Sequence, residues 1–269
     1  MDDNFPFQLG STSLSYPNLD LFSNLELLAD KFDLVELTLD YPKSLPMSEE
    51  QVDRLGEAKE KLGLDYSIHL PLSVNLATNN PFLRQASVEN VASTFELVSP
   101  LDPVVYTLHL NPMFWPGRTS LTTLFELKEL EAHCEAAHQS LKDLKDRVEP
   151  SKVAIENLST DLSEIQDIIV EEGYGRCVDV GHLVKIGRDP LLHFYSNSDS
   201  VINLHLHGVV EGDDHQQINR DGGAFNLVGL LEVMVETNYS GPVILEQFDP
   251  EHIDTTLETL SDAWNQVRV

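Results

Sequence analysis

The stretch VINLHLHGVVEGDDH, residues 201–215, decides how the rest of the chain is interpreted. Its first half is rich in β-branched and aliphatic residues, a composition that is typical of a buried strand. Its second half is polar, and Gly212 marks a loop. Because histidines sit at the end of the strand and acids follow in the loop, the stretch predicts a strand over 201–209 that delivers ligand-type side chains to a loop.

Similar short apolar runs recur along the chain and alternate with longer amphipathic segments. The other seven runs lie at 7–13, 34–39, 65–70, 104–110, 153–158, 177–182 and 243–248. Strands that alternate with helices predict a parallel sheet. Eight such units in about 250 residues are the size of a (β/α)8 barrel, so we predict an α/β fold with a single TIM-barrel domain over 1–269. A doubly wound open sheet is the alternative, but GSTSLS after the first strand lacks the glycine pattern of a nucleotide-binding loop.

The composition excludes several classes of partner. The formal net charge is −28, from 17 basic and 45 acidic residues, and such a field repels phosphate backbones and anionic membranes. We therefore predict no nucleic-acid partner and no membrane partner. The N-terminus MDDNFPFQLG is acidic and lacks the apolar region of a signal peptide, which predicts a cytoplasmic protein. Cys134 and Cys177 match no disulfide or thiolate metal motif and are interpreted as reduced thiols.

Residue types that bind metal ions cluster at the ends of the predicted strands. In a barrel these ends meet on the face that carries the active site. Imidazole and carboxylate suit zinc best and manganese or iron as alternatives, and the set exceeds what one tetrahedral ion needs. We therefore predict two or three divalent ions per chain. The predicted ligands are His69, His109, Glu156, Asp179, His182, His205, Asp213, His215 and Glu246.

Other residues near these positions are less strongly indicated as metal ligands. His207 points the same way as His205 on an extended strand but lies further along, so it is interpreted as a second layer behind the ligands or a substrate contact. Glu36 could face the barrel interior in the same supporting role, or be an ordinary paired acid. Asp214 is expected in solvent, because an extended segment would turn it away from its neighbours. Asp179 taken alone could simply cap a helix.

The ordered set of ligands resembles that of the endonuclease IV and xylose-isomerase-like barrel superfamily, over nearly the whole chain. In endonuclease IV this pattern holds three zinc ions. The resemblance implies that Glu156 bridges two of them. The implied groups are His69, His109 and Glu156 for one ion, Glu156, Asp179, His205 and Glu246 for the second, and His182, Asp213 and His215 for the third.

Finer motifs resemble the cobamide-remodelling phosphodiesterases (the CbiR family). These motifs are FPFQLGSTSLSYP, SIHLPL, CVDVGHLVKIGRDP and HLHGV followed by DDH. The resemblance implies a metal-dependent phosphodiesterase, a hydrolase that cleaves the nucleotide loop of a small-molecule corrinoid, with Glu246 and Glu156 as its catalytic carboxylates. The second-strand region follows the family only loosely, and 112–152 offers no motif to align.

Three other functions remain open at this point. A sugar isomerase or epimerase would use Glu156 and Glu246 as its two bases, with Asp179 and His205 around the ion. An abasic-site endonuclease could share the site, but the acidic charge argues against it. A corrinoid- or metal-binding protein without catalysis is the third. The oligomeric state is not fixed by the sequence.

Overall fold

The architecture is a closed barrel of eight parallel strands surrounded by helices, which confirms the predicted fold class. The computed structural model describes residues 5–39, 47–110, 124–158, 165–218 and 224–268, without the side chains of 124–127. Around the barrel the strands follow the order β1-β10-β7-β6-β5-β4-β3-β2. The barrel strands are β1 Leu9–Thr12, β2 Leu34–Thr38, β3 Asp65–His69, β4 Tyr106–Leu108, β5 Val153–Glu156, β6 Gly175–Asp179, β7 Val201–Leu206 and β10 Val243–Leu245.

Helices connect the strands, and their ends follow local sequence signals. Ser48 caps α2 and forms a reciprocal capping box with Gln51, and Gly63 ends the helix at a positive φ of 68°. Other helices also begin at a residue whose side chain accepts a backbone N–H of the first turn. Among these N-cap residues are Asp20, Asn80, Asp189, Asn226 and Asp249. The helices are α1 Leu21–Leu28, α2 Glu49–Leu62, α3 Pro81–Val98, α4 Leu124–Leu144, α5 Gln166–Glu171, α6 Val180–Lys185, α7 Pro190–Asn197, α8 Leu227–Glu236 and α9 Pro250–Val267.

Alternation along the strands separates an apolar layer from a polar barrel interior. Val35 and Leu37 of β2 belong to the main hydrophobic core together with Leu25 and Leu28 of α1. Glu36, between them, is buried and accepts hydrogen bonds inside the barrel. Successive strand residues face opposite sides of the sheet. The outward residues therefore pack against the helices, and the inward ones line the barrel interior.

Two segments differ from the sequence-based prediction. The sixth strand, predicted over 177–182, ends at Asp179, whose side chain accepts from the His182 backbone N–H and starts α6. The strand predicted over 201–209 ends at Leu206, and a hairpin follows, with β8 Gly208–Val210 paired to β9 Asp213–Gln216. Among the described residues no helix has the length and apolar character to cross a bilayer.

Candidate metal centre

Four side chains meet at the carboxyl end of the barrel. Three come from the neighbouring strands β5, β6 and β7, and the fourth comes from the residue that follows β10. Glu156 ends β5, Asp179 ends β6, His205 lies near the end of β7, and Glu246 follows β10. One ligand atom of each lies within 4.8 Å of the others. The His205 Nδ1 atom is 3.3 Å from Glu156 Oε1, 3.4 Å from Glu246 Oε2 and 3.9 Å from Asp179 Oδ2. We call this set the four-residue centre.

Unpartnered polar atoms in this centre fit a divalent cation. His205 Nδ1 and Glu246 Oε2 are buried and have no hydrogen bond within the described part of the chain. A buried polar atom without a partner is costly, and three carboxylates in one buried place repel one another. Three oxygen donors and one imidazole nitrogen are a donor set that zinc, manganese or iron accepts.

The neighbouring histidines favour the ionised forms of Glu156 and Glu246. Burial alone would raise the pKa of Glu156, but the adjacent His205 and His109 outweigh it and hold the pKa well below its ordinary value. Burial would likewise raise the pKa of Glu246, and His205 reverses the direction. The centre therefore presents ionised oxygens to a bound cation or substrate.

Glu36 fixes the orientation of His205 from beneath. The His205 Nε2 atom lies 3.1 Å from Glu36 Oε1, and Thr107 Oγ1 donates to Glu36 Oε2 at 3.0 Å. With Nε2–H donating to this carboxylate, Nδ1 is the atom that faces the centre, and a bound cation would take the place of its proton. This carboxylate–histidine arrangement is the one that supports metal-bound histidines. The supporting role of Glu36 stays a prediction.

Replacing Glu36 with Gln should weaken metal binding about 10- to 100-fold, because the amide no longer fixes the ring tautomer and adds no negative charge. Affinity is measured by competition with a chromophoric chelator. Glu60→Gln, an exposed change on α2, is the matched control and should leave affinity unchanged. An unaltered affinity in the Glu36 variant would show that His205 needs no such support.

A second group shares Glu156 with the four-residue centre. Glu156 Oε2 lies 2.7 Å from His109 Nε2 and 3.4 Å from His69 Nε2. His69 Nδ1 donates to the Leu70 carbonyl oxygen at 3.0 Å, so it is the Nε2 atom that faces Glu156. The two oxygens of Glu156 therefore face different clusters. The structure places the residues that the resemblance assigned to two adjoining ions in two groups that share Glu156.

The third predicted group is assembled differently. His182 and His215 lie beside His207, and ligand atoms of these three histidines are within 4.8 Å of one another. Asp213 is exposed and belongs to no such group among the described residues. Asp214, expected in solvent, instead lies 2.8 Å from Lys185 Nζ and 3.5 Å from His182 Nε2. The assumed alternation fails because φ is 55° at His215 and at Glu211, so β9 is not a regular continuation of an extended strand.

Cys177 is the one neighbour of the centre that sequence reasoning treated only as a buried thiol. Its Sγ groups with Glu156 and His205 within 4.8 Å. The signal was present, since Cys177 precedes Asp179 by two residues on β6 and so faces the same side. Burial raises the pKa of this thiol strongly. A protonated thiol is a poor ligand, so Cys177 serves as a neutral part of the floor.

Comparison with known families gives one match over most of the chain. The family described as "Xylose isomerase-like TIM barrel" matches residues 25–264. No curated protein sequence matches the chain.

Solved structures with the same fold cover nearly the whole chain. A D-tagatose 3-epimerase-like protein superposes with a TM-score of 0.76 at 21% identity, covering 97% of this chain and 98% of its own. A 3-keto-D-glucoside 4-epimerase from E. coli gives a TM-score of 0.71 at 14% identity, covering 97% and 99%. A D-psicose 3-epimerase gives 0.71 at 15%, covering 97% and 98%. At these identities the likeness shows the fold.

The predicted cobamide phosphodiesterase is wrong, because the structures that resemble the chain over almost its full length are carbohydrate epimerases. The comparisons support the superfamily and give no support to its cobamide branch or to a hydrolase.

Proposed function

Since the chain belongs to the xylose isomerase-like TIM barrel family, we propose that it is a metal-dependent carbohydrate epimerase or isomerase. The observation that supports this most strongly is a pair of carboxylates at one centre: Glu156, which is buried, and Glu246, whose Oε2 atom is buried. Glu156 Oε1 lies 3.3 Å from His205 Nδ1, and Glu246 Oε2 lies 3.4 Å from the same atom. In the barrel order, β10, which Glu246 follows, is on one side of β7, and β5, which carries Glu156, is on the other side beyond β6. The similar solved structures of sugar epimerases support the same reaction class.

Two carboxylates at one centre suit the transfer of a proton at a carbon next to a carbonyl group. One carboxylate takes the proton from one face of that carbon, and its electron pair moves into the carbonyl to give an enediolate. The other carboxylate, which would have to be protonated in the complex with the substrate, returns a proton to the opposite face, and this inverts the carbon. If the proton is returned to the former carbonyl carbon instead, and the hydroxyl proton moves from the neighbouring oxygen to the former carbonyl oxygen, the product is the isomeric sugar. Positioned acids and bases of this kind contribute about 10²–10⁴-fold to the rate.

The four-residue centre would hold one divalent ion through Glu156, Asp179, His205 and Glu246. When bound, such an ion supplies positive charge that stabilises the oxygen made negative by proton removal. His182 lies beside this centre. Its buried Nδ1 has no hydrogen bond within the described residues and is 3.8 Å from Glu156 Oε1. We assign His182 to a hydroxyl of the substrate.

The proposed reaction predicts one catalytic ion per chain. A second ion at His69 and His109 would occupy Glu156 Oε2 and prevent that carboxylate from carrying a proton. Metal analysis of active, dialysed protein should therefore give a count of one. Full activity only at two or three ions would contradict the role of Glu156 as a base and favour the larger count that the sequence alone suggests.

A direct activity test uses unmodified ketohexoses and ketopentoses with Mn²⁺-loaded protein and separates epimers and isomers by chromatography. We expect interconversion of at least one pair, with the same equilibrium ratio approached from both sides. Absence of interconversion across the panel, with the ion bound, would overturn the proposal.

A further inference from the structure

His207 is fully buried beside the four-residue centre, and the proposed reaction does not use it. Its Nδ1 accepts the backbone N–H of His215 at 2.9 Å. The Gly208 carbonyl oxygen lies farther from Nδ1, at 3.3 Å, so we take Nδ1 as the acceptor. The ring proton then lies on Nε2, which is 3.1 Å from Asp179 Oδ2. Both ring nitrogens are therefore engaged within the protein. Of the three clustered histidines, His207 is the one with no lone pair left for an ion or a substrate.

The local packing is built around this ring. A Cβ placed on Gly181 would lie 2.0 Å from His207 Cε1, which is far inside contact distance. Gly181 is therefore needed at the start of α6 so that the imidazole can reach Asp179. The ring also stacks on His215, with centroids 4.3 Å apart.

His207 joins two parts of the site that are separate in sequence. On one side it meets Asp179, whose Oδ1 already accepts the His182 backbone N–H at 2.7 Å. On the other side it meets the β8–β9 hairpin, which carries His215. The His215 Nδ1 atom in turn lies 3.0 Å from the Glu246 carbonyl oxygen. The hairpin thus docks between two elements of the four-residue centre.

We propose that His207 is a positioning residue that holds the Asp179 carboxylate towards the metal ion through Nε2–H and docks the β8–β9 hairpin through Nδ1. The inference rests on the proposed metal centre, although its test needs no turnover. It gives the histidine a structural link to the ligands, in place of the ligand or substrate role that its neighbours suggest.

Two variants separate the two contacts. In His207→Gln the side-chain amide can still donate near the Nε2 position, but the acceptor for His215 is lost. In His207→Asn the carbonyl oxygen stays near the Nδ1 position, but the donor to Asp179 is lost. The two readouts are Mn²⁺ affinity, by competition with a chelator, and hydrogen exchange of the His215 amide, by NMR or by mass spectrometry of the 208–218 segment.

We expect a crossed result. His207→Asn should lower Mn²⁺ affinity about 10- to 100-fold, as for other residues that orient metal ligands, and keep the His215 amide protected. His207→Gln should keep affinity within a few-fold and make the amide exchange roughly twofold to tenfold faster, as expected for one lost hydrogen bond. Equal affinities in both variants and the parent, or parallel losses in both readouts, would overturn the positioning role.

Thermal unfolding of the metal-free variants guards against a general folding defect. If both variants unfold at or near room temperature, His207 acts through stability alone and the proposal fails. If the crossed pattern holds while no sugar is turned over, the positioning role stands and the proposed function fails.

Discussion

Replacing Glu246 with Gln should lower kcat about 10²–10⁴-fold, because the amide cannot accept or return a proton. The change is nearly isosteric and keeps one oxygen that can contact an ion. Glu246 stands at the end of β10, where its Oε2 has no hydrogen bond among the described residues and faces His205 Nδ1 at 3.4 Å. The assay is the initial rate of sugar interconversion at saturating substrate and Mn²⁺.

Two controls make this result specific. Glu60→Gln removes an exposed carboxylate from α2 and should keep the parent rate. The Mn²⁺ content of the Glu246 variant is measured in the same samples, so that loss of the ion is not mistaken for loss of the base. If the variant retains more than half of the parent kcat with the ion bound, Glu246 takes no part in proton transfer.

Removing the divalent ion with a chelator should abolish turnover and lower the midpoint of thermal unfolding. Without a cation, the ionised carboxylates of Glu156 and Glu246 face each other around His205 Nδ1. An ion present at about 100 times its Kd adds about 2.7 kcal/mol to the free energy of unfolding. For a domain of this size that corresponds to a shift of about 5–10 °C, at about 2–4 °C per kcal/mol.

Glu156→Gln provides the matched comparison for that experiment. This variant removes one of the mutually repelling charges and leaves a weaker, neutral ligand, so chelation should change its unfolding midpoint by much less. Calorimetry with and without chelator, followed by addition of Mn²⁺, measures both proteins. Identical midpoints and undiminished turnover in the chelated parent protein would show that the centre holds no functional ion.

The barrel could be predicted because its signals are local and repeated. The runs around Leu34–Thr38 and Val153–Glu156 have strand-like composition, and Ser48 and Gly63 mark a helix start and end that the structure reproduces. Convergence of Glu156, His205 and Glu246 followed from the geometry of any parallel barrel. These features depend on the order of elements and need no knowledge of side-chain packing.

The arrangement of the third histidine cluster could not be predicted in the same way. It depends on a hairpin in which Glu211 and His215 adopt positive φ values, and a two-residue alternation assigns the wrong side to Asp213 and Asp214. The positioning role proposed for His207 depends on the direction of a single backbone N–H, that of His215. Neither feature has a signature in residue type or spacing.

The functional prediction failed because its motifs have local structural causes. In DVGH, Asp179 caps α6 and Gly181 leaves room for His207. In HLHG, a Cβ on Gly208 would lie 2.1 Å from the Gln217 carbonyl oxygen. Residues required by packing in this way are compatible with several reactions on one barrel, so they do not distinguish a phosphodiesterase from an epimerase.

The most direct test of the account is deuterium incorporation. Mn²⁺-loaded protein is incubated in D₂O with the ketose that it interconverts, or with the full ketose panel, and the sugars are analysed by NMR and mass spectrometry. Proton transfer by Glu156 and Glu246 predicts one carbon-bound deuterium in the product at the inverted carbon, and none with the Glu246→Gln protein. Product that forms without carbon-bound deuterium, or a panel that remains unlabelled and unchanged with the ion bound, would contradict it.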